Sequence, residues 1–271
     1  MNRIDQTLTR LRESGKKVLS PYITAGDPEP DMMVPLMHAL VDAGADILEI
    51  GIPFSDPMAE GPVIQAAMER ALTHGIHCAN VLSMVKDFRQ KDNETPIILM
   101  GYLNPIEQYG YEAFATQAKE VGVDGTILVD LPPEESHDIT LIWQEADLYN
   151  IYLCSPTTTN ERMKLITAYA RGYLYYVSLK GVTGADTFEL NSVQEQYQHR
   201  KTHSKLPVMV GFGIKTPDMA ARVSQFADGV IVGAALIEQI QQAYLENKDA
   251  IKAGAAIINN MRQAMDIGSK S

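Results

Sequence analysis

The sequence predicts an α/β fold, a (β/α)8 barrel of the TIM type with one additional helix at its N-terminus. Three observations carry that expectation. Eight short β-branched or apolar runs recur at roughly even spacing along 271 residues. Between them lie segments whose apolar residues return about every 3.6 positions. The runs themselves are nearly unbroken in apolarity, as strands of a parallel sheet buried on both faces are. Eight strand–helix units in about 250 residues match the usual size of such a barrel. A doubly wound open sheet shares this periodicity and stands as the competing architecture.

The opening "MNRIDQTLTRLRESGKK" is charged and amphipathic and lacks an apolar h-region, so it reads as a helix and not as a secretory signal. Strand runs follow at 18–24 (VLSPYIT), 46–50 (DILEI), 96–101 (PIILMG), 125–130 (GTILVD), 149–154 (YNIYLC), 173–178 (YLYYVS), 206–211 (LPVMVG) and 229–233 (GVIVG). Helical segments between them include "DMMVPLMHALVDAG", "YEAFATQAKEVG", "ERMKLITAYARG" and "TPDMAARVSQFA". In the last of these, Thr216 precedes Pro217 and Asp218, a helix-start signature. No Pro/Gly/Ser-rich linker, charge block or low-complexity stretch divides the chain, and a single domain over 1–271 is expected.

The formal charge is −11, from 23 basic against 34 acidic residues, and no Lys/Arg cluster stands out. That balance argues against nucleic acid or an anionic membrane as partner. A small anionic metabolite stays open, because a few amides and a helix dipole can hold a phosphate against an adverse net charge. Cys78 and Cys154 have neither metal nor redox spacing, which suits a reducing cytosol. No apolar run approaches the roughly eighteen residues of a transmembrane helix. A soluble cytoplasmic protein is expected.

Active sites of such barrels sit at the C-terminal ends of the strands. Glu49 is the penultimate residue of the second run, and the crowded loop "GIPFSDPMAEGP" follows it. Asp130 ends the fourth run, Ser178 the sixth before "LKGVTGAD", and glycines end the seventh ("GFGIKT") and eighth ("VGAA"). Gly211, Gly213, Gly233 and Ala234 allow close backbone approach, with Gly184 a further amide, and together they suggest a phosphate site. Relief of tight barrel packing is the plainer explanation of the same glycines. "GFGIKT" lacks the third glycine of a dinucleotide fingerprint, and no acidic residue ends the next strand.

Glu49 and Glu60 suit an acid/base pair across a substrate, provided their environments differ. A carboxylate inside "ILEIGI" is hard to read as a solvated rim residue, because burial without a partner is costly. Glu60 competes with the ordinary case of an exposed loop carboxylate. Asp56, between Ser55 and Pro57, suits a loop-shaping role through local backbone amides. The six histidines (38, 74, 77, 137, 199 and 203) fall mostly in helices. "HGIHC" at 74–78 invites a metal reading that no second ligand cluster supports, so no metal is expected. Lys180 could form a Schiff base with a carbonyl substrate; its glycine-rich loop argues for an exposed side chain.

Seven blocks resemble the alpha subunit of tryptophan synthase: "PYITAGDP" (21–28), "LEIGIPFSDPMAEGP" (48–62), "GYLNPIEQYG" (101–110), "DGTILVDLPPEE" (124–135), "YLYYVSLKGVTG" (173–184), "VGFGIKT" (210–216) and "DGVIVGAA" (228–235). They stand in family order and span nearly the whole chain. The resemblance implies a barrel that cleaves indole-3-glycerol phosphate to indole and glyceraldehyde 3-phosphate, with no cofactor. It makes Glu49 the acid/base carboxylate and puts Glu60 in the second catalytic position. Tyr22, Tyr102 and Leu128 would surround the indole and Tyr175 would line the same pocket. Gly184, Gly213, Gly233 and Ala234 would meet the phosphate, with Thr183 a further substrate contact. Pro53, Asp56, Asn104 and Pro132 would face a beta subunit in an α2β2 assembly, with the loops "GIPFSDPMAEGP" and "LKGVTGAD" closing on substrate.

Two positions depart from the family pattern. Asp is usual where this chain has Glu60, and the added methylene matters because a displacement near 1 Å can cost on the order of 100-fold in rate. Ser is frequent where this chain has Ala234, which keeps a backbone N–H contact. Indole is a poor leaving carbanion, so the implied cleavage first protonates ring carbon C3 to an indolenine. Glu49 can deliver that proton and later take one from the glycerol hydroxyl, while Glu60 can accept a hydrogen bond from the ring N–H. Two other functions fit less well: a Schiff-base aldolase using Lys180, and a weakly catalytic barrel that mainly binds and activates a partner.

Overall fold

The computed structural model describes residues 1–178, 187–211 and 213–268, without the side chains of 187–189. Nine β-segments pair in parallel: β1 (Val18–Thr24), β2 (Leu48–Gly51), β3 (Ile97–Gly101), β4 (Gly125–Leu128), β5 (Tyr149–Asn150), β6 (Tyr152–Cys154), β7 (Leu174–Val177), β8 (Val208–Gly211) and β9 (Gly229–Val232). Their spatial order is β5-β4-β3-β2-β1-β9-β8-β7-β6. The two ends of that order, β5 and β6, are consecutive in the chain, so one stretch closes the ring. Across the break the Ile151 amide donates to the Thr126 carbonyl at 3.0 Å. The eight expected runs are therefore the barrel's eight staves, and the open-sheet alternative falls.

The strand ends trim two expectations for a chemical reason. β2 begins at Leu48 and not at Asp46, because the Asp46 carboxylate accepts the Leu19 amide at 2.9 Å and so occupies a side-chain role at the strand's entry. β4 ends at Leu128, and the carboxylate of Asp130 accepts the Leu103 amide at 2.8 Å, turning the chain over the rim.

Successive strand side chains point to opposite faces. Val18, Tyr22, Ile98, Ile127, Tyr173 and Met209 fill the interior, while Leu19, Ile23, Leu48, Leu99, Val210 and Val230 pack outward against the helices. In the split stretch, Tyr149 and Ile151 point in, and Asn150 and Tyr152 point out. There the Asn150 amide donates to the Thr140 hydroxyl at 3.1 Å, and the Tyr152 hydroxyl donates to Ser136 at 2.7 Å. This run thus carries a satisfied polar seam on its outer face.

The N-terminal helix Arg3–Glu13 plugs the bottom of the barrel. Its Ile4 and Leu11 join the interior cluster, a burial worth roughly 2 kcal/mol each. The Asn2 side chain caps it by accepting the Ile4 amide at 3.0 Å, and donates to the carbonyls of Asp124 and Asp147 at 3.0 Å each. With that end closed, a ligand approaches from the C-terminal rim. Among the described residues no helix is long and apolar enough to cross a membrane, and no three His, Cys, Asp or Glu side chains gather as a metal-ligand set.

Candidate active site

Glu49 sits on β2 with its side chain inside the barrel and no exposed surface. One carboxylate oxygen, Oε1, accepts the Tyr173 hydroxyl at 2.7 Å and the Ser20 hydroxyl at 3.3 Å. The other, Oε2, is buried without a hydrogen-bond partner among the described residues. Burial pushes the carboxyl up to about 8, against the two hydroxyl donors that pull it down. At neutral pH the group therefore holds its proton, and the unpartnered oxygen is the one available to a bound molecule. Neither Tyr173 nor Ser20 was picked out in the sequence. The signal was their spacing: Ser20 shares a face with Tyr22, and Tyr173 with Tyr175.

Tyr22 stands opposite Glu49 in the ladder between β1 and β2. Its phenol lies across Gly51, where a side chain would collide with the hydroxyl, and Tyr175 lies across Gly211 in the same way. Met100, Ile127 and Leu153 complete the inner wall, with Ile64 added from helix Pro62–Thr73. Burial foremost raises both phenols far above their ordinary value. After burial, Tyr175 is raised by Glu49 and then Glu60, and Tyr22 by Glu60 ahead of Glu49. Both carboxyls are thus within electrostatic reach of the same two rings. Leu128 needs correction: it packs in the outer layer, and its neighbour Ile127 takes the inward place. Both faces of β4 are buried, Gly125 and Ile127 inward and Thr126 and Leu128 outward, so composition alone does not tell the inner residue from the outer.

The loop carrying Glu60 is held by its own backbone. Ile52 donates to the Met100 carbonyl at 2.8 Å, Met58 to Asp56 at 2.8 Å, and Glu60 to Pro57 at 3.0 Å. Tyr102 is buried beneath it, its ring 5.2 Å from that of Phe54 and its hydroxyl accepting the Ala59 amide at 3.0 Å. Expected beside the indole, Tyr102 also latches this loop. Glu60 is half-buried, and burial alone raises its carboxyl to about 7. The two carboxyls thus titrate close to neutrality, Glu60 below Glu49.

Gly233 precedes helix Ala234–Leu245, which has no side-chain cap at its start. The Gly233 carbonyl accepts the amides of Leu236 and Ile237 at 2.9 and 3.1 Å. The first amides of the helix point onward without helical partners, as at any helix start, and the dipole there favours an anion. A side chain on Gly233 would meet Tyr22 at 3.6 Å and Ile64 at 3.8 Å, so this helix start abuts the aromatic wall. Gly213 has a φ of +82°, a conformation that glycine adopts without strain. Lys180, Thr183 and Gly184 lie outside the described residues.

Of the residues expected on a partner face, Asp56 and Asn104 are exposed and Pro132 is half-buried. Pro53 is buried by its own chain, because the preceding Ile52 still bonds to the barrel wall. The Asp56 carboxylate accepts the Ser55 hydroxyl at 2.6 Å where backbone amides were expected. Beside it, Met58 is 81% exposed, an apolar side chain in water at the rim.

A barrel with desolvated carboxyls at the catalytic rim defines a class, the β/α-barrel enzymes that work by proton transfer. Comparison with known proteins narrows that class. A family model described as the tryptophan synthase alpha chain matches residues 8–266. The tryptophan synthase alpha chain of Legionella pneumophila (strain Corby) is 67% identical over 270 residues, 99% of each chain. That of Thioalkalivibrio sulfidiphilus is 52% identical over 266 residues, 98% of this chain and all of the relative. The crystal structure of the alpha subunit from Legionella pneumophila strain Paris superposes with a TM-score of 0.94 at 64% identity, covering 98% of this chain and 99% of that one. The chain belongs to the tryptophan synthase alpha chain family.

Proposed function

We propose that this chain is the lyase of tryptophan biosynthesis that cleaves indole-3-glycerol phosphate to indole and glyceraldehyde 3-phosphate, with Glu49 and Glu60 as its catalytic carboxyls. Membership of the family supports the activity. The observation that supports the residue roles is the setting of Glu49: fully buried inside the barrel, with burial raising its carboxyl and, among the described residues, no hydrogen-bond partner for one oxygen.

Glu49 gives its proton to C3 of the indole ring, which becomes an indolenine. Glu60 accepts the ring N–H and stabilises the positive charge that grows on nitrogen. Glu49, now anionic, takes the proton of the hydroxyl next to the ring. The bond between C3 and the glycerol carbon breaks and its electron pair returns to the ring. Indole leaves, the glycerol carbon becomes the aldehyde, and Glu49 is reprotonated. The amides at Gly213, Gly233 and Ala234, with Thr183 and Gly184, hold the phosphate and so the rest of the substrate in register. Tyr22, Ile127 and Tyr175 enclose the bicyclic ring. No cofactor enters these steps.

The chain works as a single domain in the cytoplasm and docks on a beta subunit in an α2β2 assembly, through exposed Asp56 and Asn104 and half-buried Pro132. Indole release by the isolated chain, with and without a beta subunit, tests the whole reading. Release by the isolated chain, raised by the beta subunit, is expected. No release under either condition refutes the lyase assignment, and enhancement of the partner without any release points to a binding role. Activity that survives Lys180→Ala rules out a Schiff base.

A further inference from the structure

Gly51 ends β2 two residues beyond Glu49, paired with Thr24 on one side and Met100 on the other. Its backbone is ordinary strand, outside the left-handed region where glycine is favoured. Conformational freedom therefore does not explain why glycine stands there. The space beside it does. A side chain at this position would collide with the Tyr22 hydroxyl and come within 2.7 Å of Cζ and 3.0 Å of Cε2. At its other end, Tyr22 lies against Gly233 and the helix start, with its Cβ 3.6 Å from where a Gly233 side chain would begin. The ring is thus stretched flat along the wall from the anion-binding helix end to the tip of β2, and it is 3% exposed. Its hydroxyl is held only loosely, by the Thr24 hydroxyl at 3.5 Å.

We propose that Gly51 is a specificity-determining residue: the missing side chain is the slot into which Tyr22 folds its phenol, and this keeps the ring out of the volume a two-ring aromatic substrate occupies. The inference rests on the lyase reading above. With a methyl group in the slot, the phenol loses its place over β2 and is displaced toward the barrel interior, the side on which Glu49 lies. The damage then falls on substrate fit and leaves the carboxyls intact. Gly233 contrasts with Gly51, since a side chain there makes only contacts of ordinary length, at 3.6 Å and beyond.

A double-mutant cycle with Gly51→Ala and Tyr22→Leu separates the slot from any backbone effect. The probe is indole-3-propyl phosphate, which lacks the hydroxyls the cleavage needs, titrated calorimetrically into the four proteins alongside kcat and KM for indole release. In the Tyr22 background, Gly51→Ala should weaken probe binding and raise KM by about tenfold or more, as overpacking does, with kcat changed far less. In the Tyr22→Leu background the same change should alter affinity by less than about threefold. Equal losses in both backgrounds, or none in either, overturn the inference. If Gly51→Ala does not fold, the double variant decides. Folding and binding like Tyr22→Leu alone support the slot, and failure to fold refutes it. Failure of the unmutated protein to bind the probe sinks the lyase reading itself, whereas binding by that protein without the coupling sinks only the slot.

Discussion

Replacing Glu49 by Gln tests the buried carboxyl through stability as well as rate. The amide keeps the shape of the protonated carboxyl and can still accept from Tyr173 and Ser20, but it cannot ionise. In the unmutated protein the group titrates at about 8 in the fold, raised by burial from an ordinary 4.5. The fold therefore holds this proton more tightly than the unfolded chain does. Its stabilising effect is complete at acid pH and is lost progressively as pH rises from about 4.5 to about 8. Each pH unit in that window costs about 1.4 kcal/mol, so the loss is on the order of 3 kcal/mol at pH 7 and 5 kcal/mol above pH 8. The amide nitrogen placed at the unpartnered Oε2 position adds a cost of about 1–3 kcal/mol. That cost moves the whole curve and leaves its slope alone. Urea unfolding of both proteins from about pH 5 to pH 8.5 measures the gap between them. The gap should swing in favour of Glu49→Gln as pH rises, while indole release by the same samples is abolished. A gap that stays level across this range refutes the raised carboxyl, and turnover by the folded variant refutes its role as acid and base.

The other carboxyl, the donor to Glu49 and the anion site yield four more expectations. Glu60→Ala should lower the single-turnover rate by roughly 100-fold while KM stays within a few-fold, because its interaction strengthens with charge in the transition state; an unchanged rate would leave Glu49 to act alone. On the proposed roles Glu60 works ionised and Glu49 protonated, so the rate should fall below about pH 7 and above about pH 8, with the acid limb missing in Glu60→Ala. Tyr173→Phe removes a hydrogen bond that holds the Glu49 carboxyl down, so the alkaline limb should move upward; a limb that stays put would show that Tyr173 only packs. Gly233→Val should weaken calorimetric binding of glycerol phosphate by filling the space at the helix start, whereas unchanged affinity would place the anion elsewhere.

How far the site was legible depended on how local its cause is. The loop after β2 announced itself, because prolines, glycines and carboxyls crowd between a strand and a helix. Glu49 stood out because ionisable residues rarely sit within an apolar run. Leu128 was misplaced by one residue for the opposite reason: a strand buried on both faces offers no polar alternation to say which side chain points inward. Tyr173 and Ser20 went unnoticed because neither belongs to a distinctive motif. Only strands from distant parts of the chain, 124 and 29 residues from Glu49, bring their hydroxyls to one carboxylate oxygen.

The sequence by itself determined the number and order of the strand–helix units, the helix at the N-terminus, the rim on which the polar residues gather, and the family. All of these follow from periodicity, turn chemistry and motif order, which neighbouring residues express without help from the rest of the chain. Only the tertiary structure decided that the run at 149–154 closes the barrel as two pairing segments, that one oxygen of Glu49 is left without a partner, and that Tyr22 lies in the slot at Gly51. Desolvation, unmet hydrogen bonds and steric fit are properties of surroundings. Those surroundings exist only once residues far apart in the chain have been packed together.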